Sequence, residues 1–284
     1  MDALSDFTIP KIQIGKGMEF VVDILNQYFF WFFDAIRVSL EFLTNNLADV
    51  LLWFPSWVLI PVIAAGVYKV HKSWILALAT LLGLLFTVNQ GYWEETVYTI
   101  TLIIWATVVC VVIGVPLGIA AAHRPKLWMV LRPILDMMQT IPTFVYLIPA
   151  LIFFGLGMPS GLIATVIFAV PAPIRLTYLG ISSAPTQLIE AAESFGATKR
   201  QLLWKVEIPH AMPTIMAGVT QCIMLSLSMV VIASMVGADG LGIPVLRALN
   251  TVNVAKGFEA GLAIVVVAIL MDRICKRPGS KDGE

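Results

Sequence analysis

Runs of apolar residues too long for an ordinary soluble core constrain this chain more than any other feature. The most extended of them runs from Thr96 to Ala122. About 20 such residues carry a helix across a bilayer, where each backbone N–H and C=O must find its partner inside the segment. Seven crossings are expected, approximately Trp57 to Val70, Ser73 to Val88, Thr96 to Ala122, Ile141 to Leu156, Gly161 to Gly180, Ile215 to Val236 and Gly257 to Asp272. The first, second and fourth are short, which leaves tilt, local thinning or a re-entrant path open to them. Composition agrees: 59% of the 284 residues are hydrophobic and 13% charged, with a mean hydropathy of +0.89. Soluble domains carry about a quarter charged residues. The expected class is an all-α polytopic membrane protein.

Ahead of these segments, Met18 to Leu52 places Glu19, Asp23, Asn26, Asp34, Arg37, Glu41, Asn45 and Asp49 mostly three or four positions apart. That is a polar stripe at helical period. Phe20, Val21, Ile24, Phe29, Trp31, Phe32, Leu40 and Leu43 occupy the opposite face. An amphipathic helix lying in the membrane interface is expected, with a packing helix of a soluble domain as the alternative. Met1 to Gly17 lacks a basic start, an apolar stretch and a cleavage site, so no removable leader is expected. Cys110, Cys222 and Cys275 show no CxxC or Cys/His spacing and read as buried, inert thiols.

The 18 basic and 18 acidic residues cancel, which argues against nucleic acid or a polyanionic substrate as a partner. Their distribution carries the information. With the C-terminus placed inside, Lys69, Lys72, Arg124, Lys126, Arg132, Arg175, Lys199, Arg200, Lys205, Arg273, Lys276, Arg277 and Lys281 fall on the inner side. Only Lys11, Lys16, Arg37, Arg247 and Lys256 fall outside. Positive loops are retained in the cytoplasm, so an outer N-terminus and a cytoplasmic C-terminus are expected. The segment from Ile181 to Thr214 then becomes a long cytoplasmic connection.

That connection has legible local chemistry. Pro185 and Thr186 open a short helix, and Gly196 suits the left-handed residue that ends it. Thr198 with Gln201 forms a capping box for a second helix, which Pro209 is expected to stop. Leu188, Ala192, Phe195, Leu202, Leu203 and Val206 should form an apolar seam with charges outside it.

The residues Glu190-Ala191-Ala192, three more, Gly196, nine more, then Val206, Glu207, Ile208 and Pro209 resemble the signature loop of ABC-importer permeases at every defined position. Asp136 to Pro149, Met212 to Val219 and Leu225 to Met235 are similar to the glycine betaine, proline and choline branch of that family. The resemblance covers roughly Thr96 to Asp272. It implies a type I ABC-importer permease fold of about seven transmembrane helices, and a loop that inserts into a cleft of a cytoplasmic ATPase. Glu190, Ala191 and Gly196, with Ala192, Val206, Ile208 and Pro209, would shape that contact, and Phe195 and Leu202 would fill its groove. The implied assembly is a homodimer of this chain in the bacterial cytoplasmic membrane, two ATPase subunits below and an extracytoplasmic solute-binding protein above. Its cargo is a compatible solute such as glycine betaine, choline or proline. The implied organisation is an N-terminal segment over 1–55, two accessory crossings over 56–90, a core permease over 91–275 and a cytoplasmic tail over 276–284. No GxxxxGK[ST] phosphate loop is found, so the chain is not expected to be an enzyme or to bind a cofactor, ATP and Mg belonging to the partner.

Several residues carry open readings. Gly114 and Gly118, with Pro116 between them, suit either close helix packing or a hinge. Pro142, Pro149, Pro171 and Pro173 mark helix breaks that would line a pathway. Trp53, Trp57, Trp74, Trp93, Trp128 and Trp204 lie near segment ends, as an interfacial belt does, and an aromatic cage for a quaternary amine is the alternative. Arg175 is expected to snorkel or pair, and Asp239-Gly240-Leu241-Gly242 either contacts a binding protein or turns the chain. His71, His123 and His210 share no spacing, and no metal or catalytic constellation emerges. Two further function classes remain, an ion-coupled secondary transporter and a non-transporting membrane scaffold; the first calls for acidic or histidine residues in mid-membrane and an inverted repeat, neither of which is found.

Overall fold

A chain that must satisfy its backbone inside hydrocarbon resolves into helices, and the computed structural model, which describes residues 14–275, is helical throughout its ordered elements. In chain order these are α1 (Ile14–Trp53), α2 (Ser56–His71), α3 (Trp74–Asn89), α4 (Trp93–Ala122), α5 (Pro125–Thr140), α6 (Thr143–Phe154), α7 (Met158–Ala169), α8 (Pro171–Ser182), α9 (Thr186–Ser194), α10 (Lys199–Leu202), α11 (Ile208–Ser234), α12 (Gly242–Asn250) and α13 (Val254–Cys275). A π turn, Leu203–Glu207, joins α10 to α11. The expectations for residues 1–13, including Lys11 and the missing leader, and for the tail 276–284 with Lys276, Arg277 and Lys281, lie outside the described residues, as do the side chains of Met18, Glu19 and Val21.

Among the described residues, α4, α7 with α8, α10 through α11, and α13 are long and apolar enough to cross a membrane. The expected fourth crossing, Ile141 to Leu156, needs correction. α6 has only 12 residues, about 18 Å of helix against a hydrocarbon core of roughly 30 Å. α5 precedes it at a bend of 98°, and only the pair together is long enough. Lys126, Arg132 and Asp136 interrupt the apolar pattern of α5, which hid it from the hydropathy reading. α2 and α3 have 16 residues each and pack on one another, with Ile60 and Leu84 meeting Leu270 of α13.

The prolines need a second correction. Pro142 stands at the bend between α5 and α6, and Pro171 opens α8 after a one-residue interruption at Val170. Pro149 lies within α6, and Pro171 and Pro173 lie in α8, which continues α7 as one span of 25 residues.

α4, α8 and α11 form the centre of the molecule. Ala106 and Cys110 of α4, Val166 and Ala169 of α7, Ile174 of α8 and Cys222 of α11 close one fully buried cluster. The helices approach this closely because small residues face their neighbours. A Cβ added at Gly114 would meet Pro173 Cγ at 2.9 Å, and one at Gly118 would meet Thr177 Cβ at 2.6 Å and the Ile174 carbonyl at 2.7 Å. Two residues read separately from the sequence, Gly114 and Pro173, are therefore one contact between α4 and α8, and the glycine pair is a packing surface.

α1 bends at Phe29, whose backbone leaves helical geometry. Beyond the bend it crosses α4, α6 and α7. Thr44 and Ala48 are fully buried there, Phe33 stacks on Phe153 at 4.4 Å, and Trp105 Nε1 donates to the Leu43 carbonyl at 3.0 Å. The inward face is thus Phe33, Leu40, Thr44 and Ala48, while Phe20, Trp31 and Phe32 stay exposed and Arg37 pairs with Asp34 at 3.0 Å.

Candidate functional site

The loop between α8 and α11 is built from local signals. α9 starts after Pro185, and its chain reverses at Gly196, whose φ of +76° is accessible to glycine at little cost. Space around Gly196 is open, so its requirement for glycine is purely conformational. Thr198 Oγ1 accepts the Gln201 N–H at 3.4 Å while Gln201 Oε1 accepts the Thr198 N–H at 2.8 Å, completing the capping box that opens α10.

Beyond this point the structure departs from expectation. Pro209 does not stop the helix. From Lys199 to Ser234 the chain forms one helix of 36 residues, and Pro209 sits in the first turn of α11. The π turn makes this possible. Ile208 N–H reaches back five residues to the Leu203 carbonyl, and the widened turn accommodates a ring that lacks an N–H and crowds the preceding turn of a regular helix.

The apolar seam does not close either. Leu203 and Ile208 pack with Ile181, Ala211 and Ile215 and with Ile119 of α4, anchoring the loop to the three central helices. Leu202 and Val206 are half-buried. Leu188 is half-exposed and Phe195 is 93% exposed, projecting from the reversal with Glu190, Ala191 and Pro209 also on the surface. Ala192, Phe195, Gly196, Gln201, Lys205 and Val206 line a shallow open depression beside it.

Three connections that the sequence reading missed frame the loop. Glu207, at the end of the π turn, is 5% exposed, and His123 Nε2 lies 2.9 and 3.2 Å from its two carboxylate oxygens. Arg175 Nη2 donates to Asp136 Oδ1 at 2.6 Å, and Trp128 stacks on Tyr178 at 3.7 Å, both tying α5 to α8. The expected pairing of Arg175 thus has a named partner. At the far end of α11, Gly240, Leu241 and Gly242 are buried, and the Leu241 N–H donates to Thr99 Oγ1 of α4 at 2.8 Å. This segment packs as a turn and leaves only Asp239 on the surface. Trp53, Trp57, Trp74 and Trp204 are exposed at or near helix ends. Among the described residues no group of three or more His, Cys, Asp or Glu side chains stands ready to hold a metal.

Comparison with known proteins decides the family. The profile described as "Binding-protein-dependent transport system inner membrane component" matches residues 114–277, which include the whole loop. The chain belongs to this family. The permease is 44% identical to the glycine betaine transport system permease protein OpuAB of Bacillus subtilis (strain 168), the match covering 94% of each chain. It is 45% identical to the glycine betaine/carnitine transport permease protein GbuB of Listeria monocytogenes serotype 1/2a (strain 10403S), over 94% of this chain and 95% of that one. To the glycine betaine/proline betaine transport system permease protein ProW of Escherichia coli (strain K12) it is 42% identical, over 94% of this chain and 74% of that one. A solved chain of the MetNI methionine ABC transporter superposes with a TM-score of 0.56 at 23% identity, covering 63% of this chain and 94% of that one. The permease therefore has the all-helical type I ABC-importer fold and is a multi-pass membrane component of a transport system.

Proposed function

We propose that this permease, as a homodimer, forms the solute pathway of an ATP-driven importer for a quaternary amine of the glycine betaine type. The observation that carries the reading is the loop anchored to α4, α8 and α11 with its outward Phe195. Near end-to-end similarity to glycine betaine permeases supports the substrate class. Glu190, Ala191, Ala192 and Gly196 shape the contact with a cytoplasmic ABC ATPase, Phe195 and Leu202 enter its groove, and Val206, Ile208 and Pro209 fix the loop to α11. ATP and Mg bind the ATPase, and an extracytoplasmic binding protein delivers solute at the opposite end of α11. The loop end is cytoplasmic, which puts the N-terminus outside and the C-terminus inside. The exposed apolar face of α5 and α6, with Ile134, Met137, Phe144 and Ile148, supports a second copy as its neighbour.

The test is co-purification. Phe195→Glu places a charge where a buried ring is required, so the inserted permease should lose its ATPase during detergent purification. Retention of the ATPase by that variant at parental levels would overturn the docking assignment.

A further inference from the structure

We infer that His123 and Glu207 form a hydrogen-bonded latch through which the ATPase-docked loop drives α4, and that this latch sets how tightly hydrolysis is coupled to transport. The inference rests on the docking assignment above. His123 caps the C-terminus of α4, while Glu207 belongs to the π turn that joins the loop to α11. π turns inside helices recur at functional sites. The pair lies 84 residues apart in sequence and is the polar bond that joins the loop to α4.

The geometry specifies the bond. His123 Nδ1 lies 2.9 Å from the Ile119 carbonyl, and Nε2 lies 2.9 Å from Glu207 Oε2. Each ring nitrogen thus faces an acceptor. A ring held between two acceptors in this way is fixed in orientation by both bonds. The Glu207 side chain is 7% exposed and that of His123 46%. Removing His123 leaves a buried carboxylate without its partner, so the bond resists separation of the end of α4 from the π turn.

Movement of Phe195 in a closing ATPase therefore reaches the bundle by two routes. One is the chain itself, from α9 back into α8 and from α10 into α11. The other is this latch, which draws the end of α4 along with them. α4 spans the bilayer beside α8 and α11, so a loop that moves without α4 shears the packed triad and does not open it.

The experiment uses proteoliposomes holding the permease, its ATPase and its binding protein, with labelled glycine betaine uptake and phosphate release measured together. His123→Gln and Glu207→Gln should each retain the ATPase on purification and still hydrolyse ATP, while uptake per ATP falls about five-fold to ten-fold. The double variant should be no worse than either single one, the signature of two residues acting as one. His123→Lys, whose ammonium group can still donate to the Glu207 carboxylate, should restore the ratio toward the parent. A purely structural role would lower the yield of folded protein and leave uptake per ATP unchanged. Parental uptake per ATP in both single variants, or losses that multiply in the double variant, would overturn the latch. If Phe195→Glu releases the ATPase while these ratios stay parental, the latch fails and the docking assignment stands. Retention of the ATPase by Phe195→Glu would remove the docking assignment itself.

Discussion

Two glycines separate packing from conformation at the residue scale. A methyl group on Gly118 meets the Ile174 carbonyl and the Thr177 Cβ, both on the facing helix and neither able to swing away. Gly118→Ala should therefore destabilise the permease by about 2 kcal/mol, read as an earlier thermal unfolding transition in detergent. Gly261→Ala, in open space within α13, should unfold no earlier than the parent. Gly196 presents the opposite case, open space with a φ of +76°. Gly196→Val costs about 1–2 kcal/mol of left-handed strain confined to the reversal. Its expected phenotype is parental insertion and melting with reduced ATP-driven uptake, and unchanged uptake would contradict the role given to the turn. The capping box at Thr198 and Gln201 and the turn at Gly196 were legible from sequence because their partners lie within four positions. His123 and Glu207 were not, because each alone reads as a solvated charge near a helix end.

Elements were legible in proportion to how purely apolar they are. α4, α11 and α13 follow from hydropathy alone, but α5 carries Lys126, Arg132 and Asp136 and is long and apolar enough to cross only together with α6. Of these charges Asp136 is paired, with Arg175 of α8, and Trp128 stacks on Tyr178 beside it. The π turn has no sequence signature, so Pro209 was read as a stop when the widened turn lets the helix run on. α1 shows a related inversion: the aromatic face that dominates its sequence stays exposed, and small Thr44 and Ala48 decide where it packs. One bond tests that placement. Trp105→Phe removes the donor to the Leu43 carbonyl and should cost about 1 kcal/mol, measured as earlier unfolding and as faster protease cleavage near residues 30–50. Cleavage at the parental rate would contradict the docking of α1 on α4.

Over the whole molecule, the same three helices that hold the core also receive the loop. Leu203 and Ile208 pack where α4, α8 and α11 converge, so in the proposed mechanism a push on Phe195 would reach all three helices. A close-packed core moves by shifting between discrete packings rather than by deforming smoothly, which suits a two-state gate. Fold class and loop position were readable in advance because both are written in local composition and spacing. The proposed assembly is not, because it depends on how surfaces such as the exposed apolar face of α5 and α6 meet other molecules, and no local pattern records that. The most direct test of the account is labelled glycine betaine uptake into proteoliposomes holding the permease with its ATPase and binding protein, with ATP enclosed or omitted and with imposed proton or sodium gradients. Accumulation that requires ATP and ignores the gradients is the predicted result. Accumulation driven by a gradient and indifferent to ATP would contradict it, because the loop would then have nothing to transmit.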